Sequence, residues 1–418
     1  MINIGYACLA VGVSDSGMKN CLLKNAVPEQ LLGLIDHNLD ALEKLIEYNI
    51  SQNIKLFRIS SDLIPFGSSL AATLPWTELF SAKLSKLGEL IKGSGMRVSM
   101  HPGQYTVLNS PDQGVADRSV EDLIYHTRVL DALGVGSECK IILHLGGAYG
   151  DKPQAISRFI QRYERLAPAI KRRLILENDD RIFTIEDILG GADQAGFPVV
   201  YDNLHNAVNP SEAGGTDAHW ISRCALTWKP EDGPQKIHYS QQDPDKKSGA
   251  HSRSIMTDLF LEFYESVQPM TLDIMVEVKD KNLSALKCLN LISDRGIKQL
   301  ELEWARYKYT VLEHSPRTYQ AIRWLLKEKQ NYPVREFYHL VESALAMTVV
   351  TGQAINAAEH VWGYFKNQAT VAERKRFDAL LEKFTKGEVR LELIKNHLLK
   401  LAIKYQETYL LTGYYFYI

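Results

Sequence analysis

Residues 174–202 read LILENDDRIFTIEDILGGADQAGFPVVYD, and the parsing of this stretch decides the fold. Leu174–Glu177 and Val199–Asp202 are short apolar runs, each closed by a carboxylate. Between them Ile185–Ala195 carries apolar residues at helical spacing, and Thr184 followed by Glu186 and Asp187 is a helix start signal. Strand, helix and strand in this order make a parallel βαβ unit.

The pattern extends in both directions. Further candidate strands are Ile2–Cys8, Ile54–Ser60, Arg97–His101, Lys140–Leu145, Lys236–Tyr239 and Leu272–Val278. Helix-like segments lie around Asp36–Asn53, Thr77–Ser94, Ser119–Gly134, Gln154–Lys171, Ser254–Ser266 and Asn282–Ser293. Eight strands alternating with helices predict an α/β chain closed as a TIM (β/α)8 barrel, with a doubly wound open sheet as the competing arrangement. After about Leu300 the strand signals stop. Tyr319–Gln330, Phe337–Thr351, Ile355–Lys366, Thr370–Lys386 and Val389–Tyr409 read as amphipathic helices. The expected division is a barrel domain over 1–300 and an all-helical C-terminal domain over 315–418, parted near Ser315-Pro316.

The chain has 418 residues, 45% hydrophobic and 23% charged, which excludes a disordered, collagenous or disulfide-dense protein. Net charge is −2, with no overall basic footprint for nucleic acid. The balance is uneven, however: residues 1–300 hold 31 basic and 37 acidic side chains, and 301–418 hold 17 and 13. Cys8, Cys21, Cys139, Cys224 and Cys288 are scattered and form no CxxC pair, which fits a reducing compartment and no thiolate metal site. The apolar start Ile2–Val13 lacks a basic leader, since the first lysine is Lys19. No uncharged apolar run reaches the ~20 residues that span a bilayer, so no membrane role and a cytoplasmic location are expected.

The chemistry sits where the strands end. His101 closes RVSMH, His144 closes IILH, Glu177 closes LILE and Asp202 closes VVYD, while His238 lies in KIHYS and Glu277 in IMVEV. In a TIM barrel the C-terminal strand ends form the mouth of the active site, so six metal-type ligands would converge on one basin. His205 in DNLH and His251 in GAHS lie just beyond. Imidazoles and carboxylates without thiolate suit Zn²⁺, Mn²⁺ or Fe²⁺, and eight such side chains call for two or three cations. Such a cluster suits phosphoester cleavage, and equally an isomerase or epimerase moving protons on a sugar. Lys236 precedes His238 by two, so alternation points both the same way. Beside cations an ammonium must lose its proton, snorkel outward, or become an anionic carbamate. The loop His101-Pro102-Gly103-Gln104-Tyr105 puts an amide and an aromatic at its tip, a pair able to wedge into a nucleic-acid stack. Arg58, Lys279 and Lys281 are further strand-end cations suited to phosphates.

The motifs HPGQY, LHLGG, LENDD, DNLH, KIHYS, GAHS and VEVKDK, in this order over residues 1 to about 300, resemble the UV-damage endonuclease family. That family is similar to endonuclease IV, a metal-dependent TIM barrel. The resemblance implies nicking of double-stranded DNA immediately 5′ to UV photoproducts (pyrimidine dimers and 6-4 photoproducts), leaving a 3′-hydroxyl and a 5′-phosphate. It implies Glu177, Asp202, His238 and Glu277 around one metal, His101, His144 and Glu177 around a second, and His205 with His251 at a third. Manganese is the expected metal, with Zn²⁺ or Mg²⁺ as alternatives. Glu177, Lys236 and Glu277 would act in catalysis, Lys236 as a modified, carbamylated lysine. Gln104 and Tyr105 would fill the gap left by a flipped-out dimer, Tyr6 would line the lesion pocket, and Arg58 and Lys279 would contact DNA. Two positions depart from the pattern: Gly249 stands where endonuclease IV-like sites have an Asp, and Ala10 where an Asn is common. The alternatives kept open are a sugar isomerase or epimerase and a nuclease for abasic sites.

NAAEHVWGYFKN, GEVRLELIKNHLLK and YQETYLL resemble a helical domain family of unknown function, through which protein partners could bind. His360 and His397 lie in helices and read as structural. Arg374-Lys375-Arg376 reads as a solvated helix face.

Overall fold

In the computed structural model, which describes residues 2–418, eight parallel strands close into a barrel in chain order. They are β1 (Asn3–Ala7), β2 (Leu56–Ile59), β3 (Arg97–Met100), β4 (Ile141–His144), β5 (Leu174–Glu177), β6 (Val199–Asp202), β7 (Lys236–Tyr239) and β8 (Asp273–Val276). β8 returns to pair with β1, which excludes the open sheet. The strands are apolar on both faces because one face packs inside the barrel and the other against helices.

Alternation sorts each strand into inward and outward residues. Register places His144 beside Glu177 across β4 and β5, and Asp202 beside His238 across β6 and β7. Two residues lower, Ile142, Ile175 and Val200 form one buried apolar cluster with Trp228 packed against it. At the base the guanidinium of Arg97 lies 5.9 Å from the centroid of the Trp228 ring and 3.0 Å from Asp273. Beneath its polar mouth the barrel thus combines an apolar cluster with the buried charges of Arg97 and Asp273.

Helix boundaries differ from the sequence reading for local reasons. The first helix runs Pro28–Gln52, eight residues longer at its start than expected, with Pro28 at its first position and Glu29 in its first turn. The segment expected over Gln154–Lys171 divides into Lys152–Arg165 and Pro168–Lys171, because Pro168 has no N–H to continue the ladder. Ile185–Ala195 is as expected, and Thr184 and Asp187 close a reciprocal capping box.

Packing divides the chain into two units. One spans residues up to Ala10, Asp15–Ile255 and Leu259–Leu286, and contains the barrel. The other takes Lys287–Ile418 with Val11–Ser14 and Met256–Asp258. The helical unit thus begins ahead of the Ser315-Pro316 junction, where Ser315 caps the helix Pro316–Leu325. The preceding helix, Ile297–His314, belongs to this unit: Leu312 shares a core with Ala357, Val361, Phe365, Phe377, Ile394 and Leu398. It escapes a hydrophobic-periodicity reading because Glu303 and Thr310 stand on its buried face. Trp362 and Phe377 stack at 4.5 Å inside this core. No described helix is long and apolar enough to cross a membrane.

Candidate metal centre

The upper layer of the barrel collects the strand-end ligands. β5 ends on Glu177, which is 1% exposed and accepts from the imidazoles on both sides. His238 Nδ1 lies 2.8 Å from its Oε1, and His101 Nε2 lies 3.1 Å from its Oε2. His144 Nε2 approaches Oε2 at 3.7 Å, and His205 Nδ1 approaches Oε1 at 3.6 Å. Two sets offer ligand atoms all within 4.8 Å of one another: His101, His144 and Glu177, and Glu177, Asp202 and His238. Glu177 belongs to both.

The site fits divalent cations on its own chemistry. The donors are imidazole nitrogens and carboxylate oxygens only, a set that suits borderline and hard cations. Asp202 Oδ2, His238 Nε2 and His144 Nδ1 are buried with no hydrogen-bond partner. Buried polar atoms left so are costly unless something binds them.

Electrostatics show the strain of holding these groups without a cation. Burial alone would raise Glu177, but His238, His144 and its hydrogen bonds keep it well below the ordinary carboxylate range. Asp202 gains less: burial, with Glu177 and Glu277 nearby, pushes it up to about 7. Burial opposes charge on His205, yet Asp202 and Glu177 raise it to about 9. Glu277 is held at about 2, because the Arg58 and His238 charges outweigh its burial. Divalent cations would replace these protons as counter-charge.

The other expected residues divide. Glu277 stands one residue past β8 and 3.3 Å from His238 Nδ1, inside the same layer. Arg58, partly exposed, is the salt-bridge partner of Glu277. β2 alternation turns it inward, opposite to the outward-facing Phe57. Tyr6 faces the first helix. It is fully buried, pairs in register with Phe57, and donates to Asn49 Oδ1 at 2.8 Å on the first helix. His251 stacks no closer than 6.5 Å to His205, between ring centroids, and joins neither ligand triad. Lys279 is half-exposed and 3.7 Å from Asp243.

Lys236 does not snorkel: it is fully buried one layer beneath His238, and its Nζ has no hydrogen-bond partner. Burial and the nearby Arg97 charge hold it well below the usual lysine range. Gly249 has φ +80°, which disfavours an Asp there, and Asp180 Oδ2 lies 3.1 Å from where its Cβ would stand.

The HPGQY loop is built to hold its tip in the open. Thr106 N donates to Gly103 O at 2.9 Å, and Thr106 Oγ1 donates to Asp122 Oδ2 at 2.7 Å. Gly103 leaves room for the Tyr105 ring, which a Cβ there would meet at 2.4 Å unless the ring turned aside. Tyr105 is 66% exposed, and Gln104 beside it is exposed too.

Sequence reasoning missed Asn178. Its amide spans the Asp202 backbone in both directions, donating to the carbonyl at 3.1 Å and accepting from the N–H at 2.9 Å. Its own carbonyl lies 2.9 Å from His205 Nδ1. An Asn directly after a strand-end ligand was the available signal.

Comparison with known proteins follows the same division. Residues 2–308 match the family model described as UV-endonuclease UvdE, and residues 308–418 match a family of unknown function, DUF1722. A UV DNA damage endonuclease of Clostridium perfringens (strain 13 / Type A) is 39% identical over 349 residues, 82% of this chain and 83% of that one. A UV DNA damage endonuclease of Bacillus cereus (strain B4264) is 30% identical over 318 residues, 73% of this chain and all of that one. The crystal structure of SacUVDE aligns with TM-score 0.66 at 34% identity, covering 70% of this chain and 98% of that one.

Proposed function

This chain belongs to the UV-endonuclease UvdE family, and from that premise we propose that it nicks duplex DNA immediately 5′ to UV photoproducts. The cut would be a metal-dependent phosphodiester hydrolysis at pyrimidine dimers and 6-4 photoproducts, leaving a 3′-hydroxyl and a 5′-phosphate. One observation carries the reading: a single buried carboxylate, Glu177, is the shared corner of two ligand triads. Two or three divalent cations, Mn²⁺ foremost and Zn²⁺ or Mg²⁺ in its place, would be held by His101, His144, Glu177, Asp202, His238 and Glu277, with His205 and His251 alongside. Cations held there would supply an activated water and counter-charge for the departing oxygen.

The chain's own residues supply the rest. Arg58 locks Glu277 in one orientation, and Asn178 does the same for Asp202 and His205. The exposed Gln104–Tyr105 tip favours a stacked, base-paired substrate over a free sugar. Dimerised bases stack poorly and cost less to flip, which gives the site its selectivity. Burial lowers the Lys236 pKa, which favours the neutral amine that adds to carbon dioxide. Carbamylation, which forms one N–C bond and releases one proton, would place an anion between Arg97 and Arg58. A cytoplasmic location suits five cysteines that form no disulfide.

The deciding experiment is strand nicking of a duplex with one defined thymine dimer, with Mn²⁺ and with chelator. A metal-dependent cut 5′ to the dimer, absent from undamaged duplex and from Glu177→Gln, is expected. Cleavage of an abasic duplex alone would move the substrate to abasic sites. Metal-loaded, folded protein that cuts neither duplex would return the sugar isomerase reading.

A further inference from the structure

The barrel has the wrong sign for a polyanion, and the helical unit has the right one. Lys287–Ile418 holds 20 basic and 14 acidic residues, whereas the rest of the chain holds 28 and 36. Most of the excess is concentrated: Lys366–Lys404 has 10 basic residues against 5 acidic. This segment is built on the helices Val371–Thr385 and Leu391–Lys404, which run antiparallel. Lys404 Nζ meets Glu373 Oε1 at 2.6 Å, and Phe377, Ile394, Leu398 and Leu401 share the core beneath.

The cations of this pair sort into two groups. Lys386, Lys395 and Lys404 are neutralised by Glu382, Glu313 and Glu373. Arg376, Lys383, Arg390 and Lys400 are exposed and make no ion pair among the described residues. Arg376 and Lys383 are two helical turns apart, so they share a face at a spacing of about 10.5 Å. Between the helices lies His397, 7% exposed, whose Nε2 has no hydrogen-bond partner. Arg376, Glu373 and Lys400 are the charged groups acting on its ring. Burial lowers its pKa, against a hydrogen bond to the Glu373 backbone, so the ring is part of the packing beneath these cations.

We propose that this helix pair binds the phosphate backbone of duplex DNA through the exposed side chains of Arg376, Lys383 and Lys400. The choice of DNA rests on the endonuclease reading above. The role is sequence-independent affinity, added to what the barrel mouth supplies. Within Arg374-Lys375-Arg376 the residues part company: Arg374 is spent on the Lys366 carbonyl at 2.9 Å, and Arg376 acts on His397.

The test is binding of the full chain to an undamaged duplex, in chelator, across 50 to 200 mM salt. Removing one cation from a phosphate lowers the slope of log affinity against log salt by about 0.9, so R376Q/K383Q/K400Q should lower it by about 2.7. The wild type's advantage over this variant should then shrink about fortyfold across that range. K298Q/R317Q/K327Q, an equal charge change elsewhere in the helical unit, should leave the slope nearly unchanged. An equal effect of both triples, or none from the first, overturns the proposal. So does loss of binding to phosphatidylserine vesicles with duplex affinity intact. Should the triple fail to fold, K383Q alone is expected to lower the slope by about 0.9. A wild type that binds but never nicks a dimer duplex defeats the endonuclease reading and leaves the surface standing. One that nicks, with a slope the triple does not change, defeats the surface alone.

Discussion

Loading the metal centre should expel protons, in a number fixed by how its ligands titrate beforehand. Burial and the neighbouring carboxylates lift Asp202 to about 7, and Asp202 and Glu177 overcome burial to hold His205 at about 9. Both must be deprotonated to coordinate a cation. From those values the two groups together carry about 1.9 protons at pH 6, about 1.5 at pH 7 and about 1.0 at pH 8. The slope of log affinity against pH equals the protons expelled. Affinity for Mn²⁺ should therefore rise about thirtyfold per unit near pH 7 and about tenfold per unit near pH 8. Titration calorimetry of chelator-stripped protein, in two buffers of different protonation enthalpy at each pH, counts the protons directly. Release below half a proton at pH 7, or release that grows as pH rises, would refute this account of the site.

Four other outcomes are expected. Asn178→Ala should weaken metal binding by about 10–100-fold, as loss of a group that orients ligands does, with far-UV dichroism unchanged. Tyr105→Ala should cost about 1–3 kcal/mol of binding to a dimer-containing duplex, read by gel shift in chelator, and unaltered affinity would remove the residue from lesion recognition. Phe377→Ala should destabilise the helical unit by about 3–5 kcal/mol, seen as a lower midpoint in thermal unfolding. ¹³C-labelled bicarbonate should give a carbamate carbon signal in wild-type protein and none in Lys236→Arg, and a signal in neither would leave Lys236 an unmodified neutral amine.

The barrel was legible because its strands announce themselves twice, as apolar runs and as runs closed by ligands. His144, Glu177, Asp202 and His238 are each the residue that strand alternation and strand length bring to the inner rim. The same alternation, applied to Tyr6 and Arg58, places the first outside the barrel and the second inside it. Their roles toward DNA rest on the resemblance, because pleat gives a direction and not a ligand. The helix Ile297–His314 was hidden by polar groups on its buried face, Glu303 with Arg306 among them, which a hydrophobic count scores as surface. Lys236 was ambiguous for a different reason. Sequence fixes which way a strand residue points, but not how deep the strand sits below the rim.

A carboxylate that serves two triads at once has a genetic signature. His101 and His144 belong to one set and Asp202 and His238 to the other, so losses drawn one from each set should compound. Losses combined with Glu177 should not. Once that residue is gone both sets are already broken, and a second substitution in either has little left to remove. In a double-mutant cycle this appears as the strongest epistasis radiating from one position, with weaker coupling between the two sets that share it. The barrel's rim would then behave, under mutation, as two sites with a single point of failure.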